Sequence, residues 1–138
     1  MANIVPTIAE LHKHSVSCLF GMHSGNDKDD AGHTLAFFGQ GGLGLPDRDY
    51  YFDSDKADKR DKYKRYVEDL LLLAGKGNGK GDDSGVAAYA TLDKARCAAE
   101  KIYAFEELLA LSAYTKTELR DVDRTFNKMT LKDLNAKL

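Results

Sequence analysis

The residues of this 138-residue chain whose types and spacing could do chemistry are its clustered glycines, three aspartates near position 30 and four histidines. Gly39, Gly41 and Gly44 satisfy G-x-G-x-x-G, a spacing that lets backbone approach a pyrophosphate. That chemistry needs a helix N-terminus directly after the glycines, and Pro46 followed by an aromatic run opposes one. Gly79-Lys80 lacks both the four-residue spacer and the following Ser or Thr of a phosphate loop. Asp27, Asp29 and Asp30 begin like a calcium loop, but Ala31 takes a ligand position before Gly32 and no bidentate Glu follows at the required distance. His12 and His14 point about 200° apart on a helix, which prevents easy chelation. His23 and His33 flank the acidic turn, where they could face each other across a hairpin, but with no third ligand. There is no H-E-x-x-H, no G-x-S-x-G, and no activating context around Cys18 or Cys97. The chain is predicted to hold no catalytic residue and no metal ligand.

The elements that would position these residues follow from periodicity. Thr7 with Glu10 is a capping-box start, predicting a short helix from about Ile8 to His14. Val16 to Met22 and Thr34 to Phe38 are apolar runs with β-branched or aromatic members, and Ser24 to Gly32 between them has turn chemistry; a hairpin results. Gly39 to Pro46 reads as an irregular loop. Tyr63, Tyr66, Val67, Leu70 and Ala74 recur at steps of three and four, predicting a helix from about Asp58 that stops at Gly75. Gly75 to Gly85 is a glycine-rich surface loop. Val86 to Ala113 contains no Gly or Pro and forms the longest predicted helix, with Leu92, Ala95, Ala99, Ile102 and Leu109 on one stripe that Glu106 interrupts. Thr115 with Glu118, and Thr130 with Asp133, are further capping boxes, the second starting a helix near Leu131 that the sequence leaves short, as a fragment would. The fold class is mainly α (α+β): a helical region with a small β-hairpin near the N-terminus.

Twenty basic against twenty-two acidic residues give a formal charge of −2, so no nucleic-acid partner is expected. Leu70 to Ala74, the longest strongly apolar stretch, is far shorter than the roughly 20 residues that span a bilayer, so this segment reads as soluble and without membrane contact. A chain of this length is expected to bury roughly two thirds of its unfolded surface. Cys18 and Cys97 are expected as buried free thiols, because a domain of this size needs no staple.

Gly42-Leu43-Gly44-Leu45-Pro46-Asp47-Arg48-Asp49-Tyr50-Tyr51-Phe52 resembles the G-L-G-L-P-x-R-D-Y-Y signature of the neprilysin and endothelin-converting-enzyme family of zinc metallopeptidases. Upstream, Leu19-Phe20-Gly21 with Asp27, Asp29 and Gln40 matches the family's order of features. Downstream, Tyr63 to Leu73, then Ala104-Phe105-Glu106 with Leu109-Ala110, are similar to its later helices. Arg120 and Asp121, followed by Phe126, Asn127, Lys128, Met129, Thr130 and Leu131, resemble R-D-x-x-x-x-Y-N-K-M-T-L, with Phe126 in place of the usual tyrosine. The resemblance covers nearly the whole chain.

It implies residues 1–138 of the N-terminal domain of a larger two-domain enzyme that hydrolyses small peptides, a helical region enclosing a substrate chamber. The partners implied are a downstream catalytic domain of the same polypeptide and, for the full-length enzyme, peptide substrates. The zinc belongs to the full-length enzyme, held by H-E-x-x-H and a further glutamate downstream, and none is bound by this chain, which alone is predicted inactive. The parent's location is left open, whether secreted or anchored outside this segment. The alternative is a stand-alone, non-catalytic helical binding module derived from such a peptidase. The signature residues are read as structural: Arg48, between Asp47 and Asp49, as an ion-paired anchor, and Tyr50, Tyr51 and Phe52 as packing. Glu106, on a core-facing stripe, must find hydrogen-bonding partners, and an ion pair with Arg120 is predicted.

Overall fold

The computed structural model describes residues 4–77 and 86–137. The chain is mainly helical, with one antiparallel two-stranded sheet near its start. Helix α1 (Ile4–Lys13) begins ahead of the predicted Thr7 cap, which places Thr7 inside the helix and Pro6 in its first turn, where a missing N–H costs nothing. It ends on Ser15 at φ 60°, with Ser15 N–H bonded to His12 O (3.0 Å) and Val16 N–H to Leu11 O (2.9 Å). These are the two bonds of a Schellman cap, here built on serine rather than glycine.

That cap, and a second left-handed residue at Leu19 (φ 67°), consume the segment predicted to open the first strand. Strand β1 is therefore Phe20–Asn26, four residues later than expected, and pairs with β2 (Thr34–Gln40) from Phe20↔Gln40 to Asn26↔Thr34. In the turn, Asp27 and Asp30 each accept a backbone N–H two residues on, at 3.0 and 3.1 Å.

After the glycine loop come α2 (Asp49–Phe52), a 3-10 turn (Ser54–Lys56) and α3 (Ala57–Gly77). Helix α3 runs through Gly75 instead of stopping there. A Cβ at Gly75 would lie 2.6 Å from Ala90 N and 2.7 Å from Tyr89 C, so this glycine serves close packing against the chain before α4. Most of the predicted loop after Gly75 lies outside the described residues. The longest predicted helix is divided: a 3-10 turn (Val86–Tyr89) precedes α4 (Leu92–Ser112), which starts after extended Thr91. The two long helices pack together through Ala95, Ala99, Tyr103, Glu106 and Ala110 on α4, all buried. Of the predicted stripe, Ala95, Ala99 and Glu106 face inward, while Leu92 and Ile102 are exposed.

Both C-terminal capping boxes form as predicted. Thr115 N–H and Oγ1 donate to Glu118 Oε2 at 2.8 and 2.9 Å, and Glu118 N–H returns to Thr115 Oγ1 at 3.2 Å, opening a 3-10 turn (Glu118–Arg120). Asp121 caps α5 (Val122–Thr125) by accepting Arg124 N–H at 3.1 Å. Thr130 and Asp133 open α6 (Leu131–Lys137) with the same reciprocal pattern.

The core is small: Leu45, Tyr51, Tyr103 and Ala110, with Leu43, Tyr50 and Tyr63 packed around them. The accessible surface is 10371 Å², against about 7,100 Å² for a compact chain of 15.2 kDa. The chain thus buries about half of its unfolded surface, less than the two thirds expected from length.

Candidate functional site

The glycine-rich loop ends at a buried carboxylate. Leu45 N–H donates to the Tyr51 hydroxyl (3.2 Å), Tyr51 donates in turn to Glu106 Oε2 (2.8 Å), and Tyr63 donates to Glu106 Oε1 (2.8 Å). Three elements meet there, because α2 turns Tyr51 inward, α3 brings Tyr63 and α4 supplies Glu106. Tyr51 and Tyr103 stack at 5.6 Å between centroids, which walls the cluster from water on one side. Gly44 completes it: a Cβ there would sit 1.8 Å from the Tyr63 hydroxyl. Burial, reinforced by the Glu106 carboxylate, pushes both the Tyr51 and Tyr63 phenols far above their usual range, so each remains a donor. Both carboxylate oxygens are engaged, and the cluster holds backbone in place rather than moving protons.

The predicted ion pair between Glu106 and Arg120 is not formed. Glu106 is buried as expected, but two tyrosine hydroxyls satisfy it, and Arg120 lies exposed on a 3-10 turn with no ion pair among the described residues. Arg48 meets Asp49 only at 3.8 Å and lies over the Phe52 ring at 5.2 Å. Asp47 instead accepts Asp49 N–H at 3.0 Å, shaping the turn into α2. Arg60, which no sequence signal singled out, donates to the carbonyls of Tyr50 (3.1 Å) and Asp53 (2.6 Å) and fastens the end of α2 to α3. Phe52, expected to pack, is exposed, whereas Tyr51 is buried.

A second set of contacts joins the hairpin to the C-terminal motif. Asp27, buried at the tip, accepts from Lys128, and this bond, with that from Asp29 N–H, holds its carboxyl below the usual aspartate value. Lys28 bonds Asp123 at 3.1 Å and lies 5.0 Å over the Phe126 ring, which also meets Phe37 at 6.2 Å. At the other end, Gln40 exchanges two hydrogen bonds with the Tyr114 backbone, at 2.7 and 3.2 Å. Asn127 accordingly braces the motif from within, donating to Arg124 O at 3.1 Å. Met129 and Thr130 are exposed.

His23 does not face His33: the register sets it opposite Phe37, on which it stacks, and His33 bonds Asp30 at 2.8 Å. Among the described residues no group of three His, Cys, Asp or Glu is placed to hold a metal ion, so the residues present do not fit a zinc site. No helix among them is long and apolar enough to cross a membrane. Cys18 and Cys97 are unbridged, but Cys97 is exposed and Cys18 only partly buried, contrary to the expectation of buried thiols. Beside the Glu106 cluster an open groove of ≈ 530 Å³ runs between Cys18 and Leu19, the Gly42 to Gly44 loop, and Ile102 and Phe105 of α4. Its wall is mainly apolar.

The sequence model of peptidase family M13 matches residues 1–138. Endothelin-converting enzyme 1 of Cavia porcellus is 27% identical over 124 residues, which cover 89% of this chain and 15% of that protein. The chain thus spans a small part of the curated relative's length. No solved structure matches.

Proposed function

The chain belongs to peptidase family M13, and from that premise we propose that it is part of the N-terminal domain of a zinc metalloendopeptidase that hydrolyses small peptides. In this reading the chain helps to enclose a substrate chamber, and zinc and catalysis reside in a downstream domain of the same polypeptide. The observation that carries it is the run from Gly42 to Phe52, in which Gly44 and Tyr51 are committed to the Glu106 cluster. Residues so engaged favour a structural role for the signature over peptide chemistry. The same holds for Lys128, spent on Asp27.

The test is expression of the complete polypeptide that carries this sequence, followed by assays on small peptides and on folded proteins. Chelator-sensitive cleavage of the peptides alone, with an H-E-x-x-H beyond residue 138, is the expected result. A complete product lacking that motif and activity would favour the non-catalytic binding module. The 138-residue chain by itself is expected to retain no stoichiometric zinc in equilibrium dialysis, since a catalytic zinc site takes three protein ligands. Chelator-sensitive zinc retention would overturn that assignment.

A further inference from the structure

Helix α4 presents two adjacent apolar stripes. One packs on α3. The other, Ala98, Ile102, Phe105 and Leu109, is spaced by four, three and four residues, the a/d spacing of a helix-packing seam; Ala98 and Leu109 are half-buried, Leu109 against Gly42, while Ile102 and Phe105 between them are open. Ile102 is 37% and Phe105 50% exposed, and both line the groove whose opposite wall is Leu19 and the Gly42 to Gly44 loop. Lys94 and Lys101, seven residues apart, edge the stripe on its outer flank; both are exposed, and neither is in an ion pair among the described residues.

We infer that this groove is the seat of one amphipathic helix, apolar at heptad spacing and acidic along the flank that meets Lys94 and Lys101, supplied by the polypeptide outside these 138 residues. Two observations select this occupant. An exposed seam at a/d spacing accepts a helix side by side, whereas an extended strand would present its side chains at the wrong period. The two unpaired lysines favour carboxylates, and the glycine wall adds no charge of its own. The inference rests on the proposed place of the chain within a longer peptidase.

The test uses the complete polypeptide beside the 138-residue chain, both carrying Cys18→Ser, Cys97→Ser and Ile102→Cys. Alkylation of the new thiol is expected to be at least about tenfold slower in the complete polypeptide, as for a group moved from surface to interior. A photo-crosslinking phenylalanine analogue in place of Phe105 should then join, by mass spectrometry, to a helical segment with Asp or Glu flanking its apolar stripe. Equal alkylation in the two proteins, a crosslink to a second copy, or one to a basic or non-helical segment would overturn the inference. A complete polypeptide that cleaves peptides yet leaves the thiol free sinks the groove assignment alone. One that shields the thiol but shows no chelator-sensitive cleavage sinks the peptidase reading alone.

Discussion

Replacing Glu106 by alanine removes the acceptor on which two tyrosines converge. The Tyr51 hydroxyl, in a residue only 2% exposed, would keep Leu45 N–H as a donor to it but lose the group it donates to. A buried donor stranded in this way costs about 1–3 kcal/mol. Tyr63 is partly exposed and can turn to water, so its loss is nearer the net value of one hydrogen bond, about 1 kcal/mol. Relief of the carboxylate's own desolvation offsets part of this sum, leaving an expected destabilisation of about 1–3 kcal/mol. That is below the cost of stranding a guanidinium, because the partners are neutral. Urea unfolding of the 138-residue chain, followed by circular dichroism, measures it directly. Glu106→Gln, which keeps one carbonyl acceptor, should lose about half as much. Combining Glu106→Ala with Tyr63→Phe should be less damaging than the sum by about 0.5–1 kcal/mol, since the two share a bond. If Glu106→Ala changes stability by less than about 0.5 kcal/mol, a value typical of surface substitutions, the cluster is not what holds the loop.

Gly44→Ala should destabilise by about 1–3 kcal/mol, the usual range for overpacking, because its methyl would overlap the Tyr63 phenol; wild-type stability in the same unfolding assay would refute the close approach. Asp27 titrates below its unfolded value, so its contribution is present above about pH 4 and is lost as pH falls through the lower folded value. Amide protection across Asn26 to Thr34, taken relative to the intrinsic exchange rate at each pH, should accordingly fall in acid, and should fall less steeply in Lys128→Ala; identical profiles would argue against that pair. Tyr51 and Tyr63 titrate above their unfolded value, so stability should decline as pH rises beyond about 10, where the unfolded chain releases protons that the folded one retains. Spectrophotometric titration that finds all tyrosines ionising together near pH 10 in the folded chain would contradict the buried cluster.

How much was legible in the sequence depended on range. The Thr115/Glu118 and Thr130/Asp133 boxes were readable because each is closed by hydrogen bonds three residues apart. Glu106 was recognisable as a carboxylate in need of partners, but its partners were not, since Tyr51 and Tyr63 lie 55 and 43 residues away and tyrosine in an aromatic run reads as packing. Strand β1 was misplaced because Ser15 and Leu19 adopt left-handed backbone that local propensity assigns to glycine. Gly75 looked like a stop signal, yet it is a contact residue, and only the approach of Tyr89 and Ala90 distinguishes the two roles. The signature at Gly42 to Phe52 identified the family, while the reason for Gly44 appeared only when Tyr63 was placed beside it.

The attachments of the hairpin also set an order of assembly. The Tyr63 to Glu106 bond closes a span of 43 residues, the Gln40 to Tyr114 bonds 74, and the Asp27 to Lys128 pair 101. Each doubling of such a loop adds only about 0.6 kcal/mol of closure entropy, so length alone does not forbid any of them. Vectorial synthesis does rank them, because the chain emerges N-terminus first. The two long helices can dock once Glu106 has emerged, the base of β2 can be tied when Tyr114 follows, and the tip of the hairpin is tied only as Asp123 and then Lys128 arrive. A nascent chain halted between Tyr114 and Asp123 would therefore carry a hairpin fastened at one end and loose at the other.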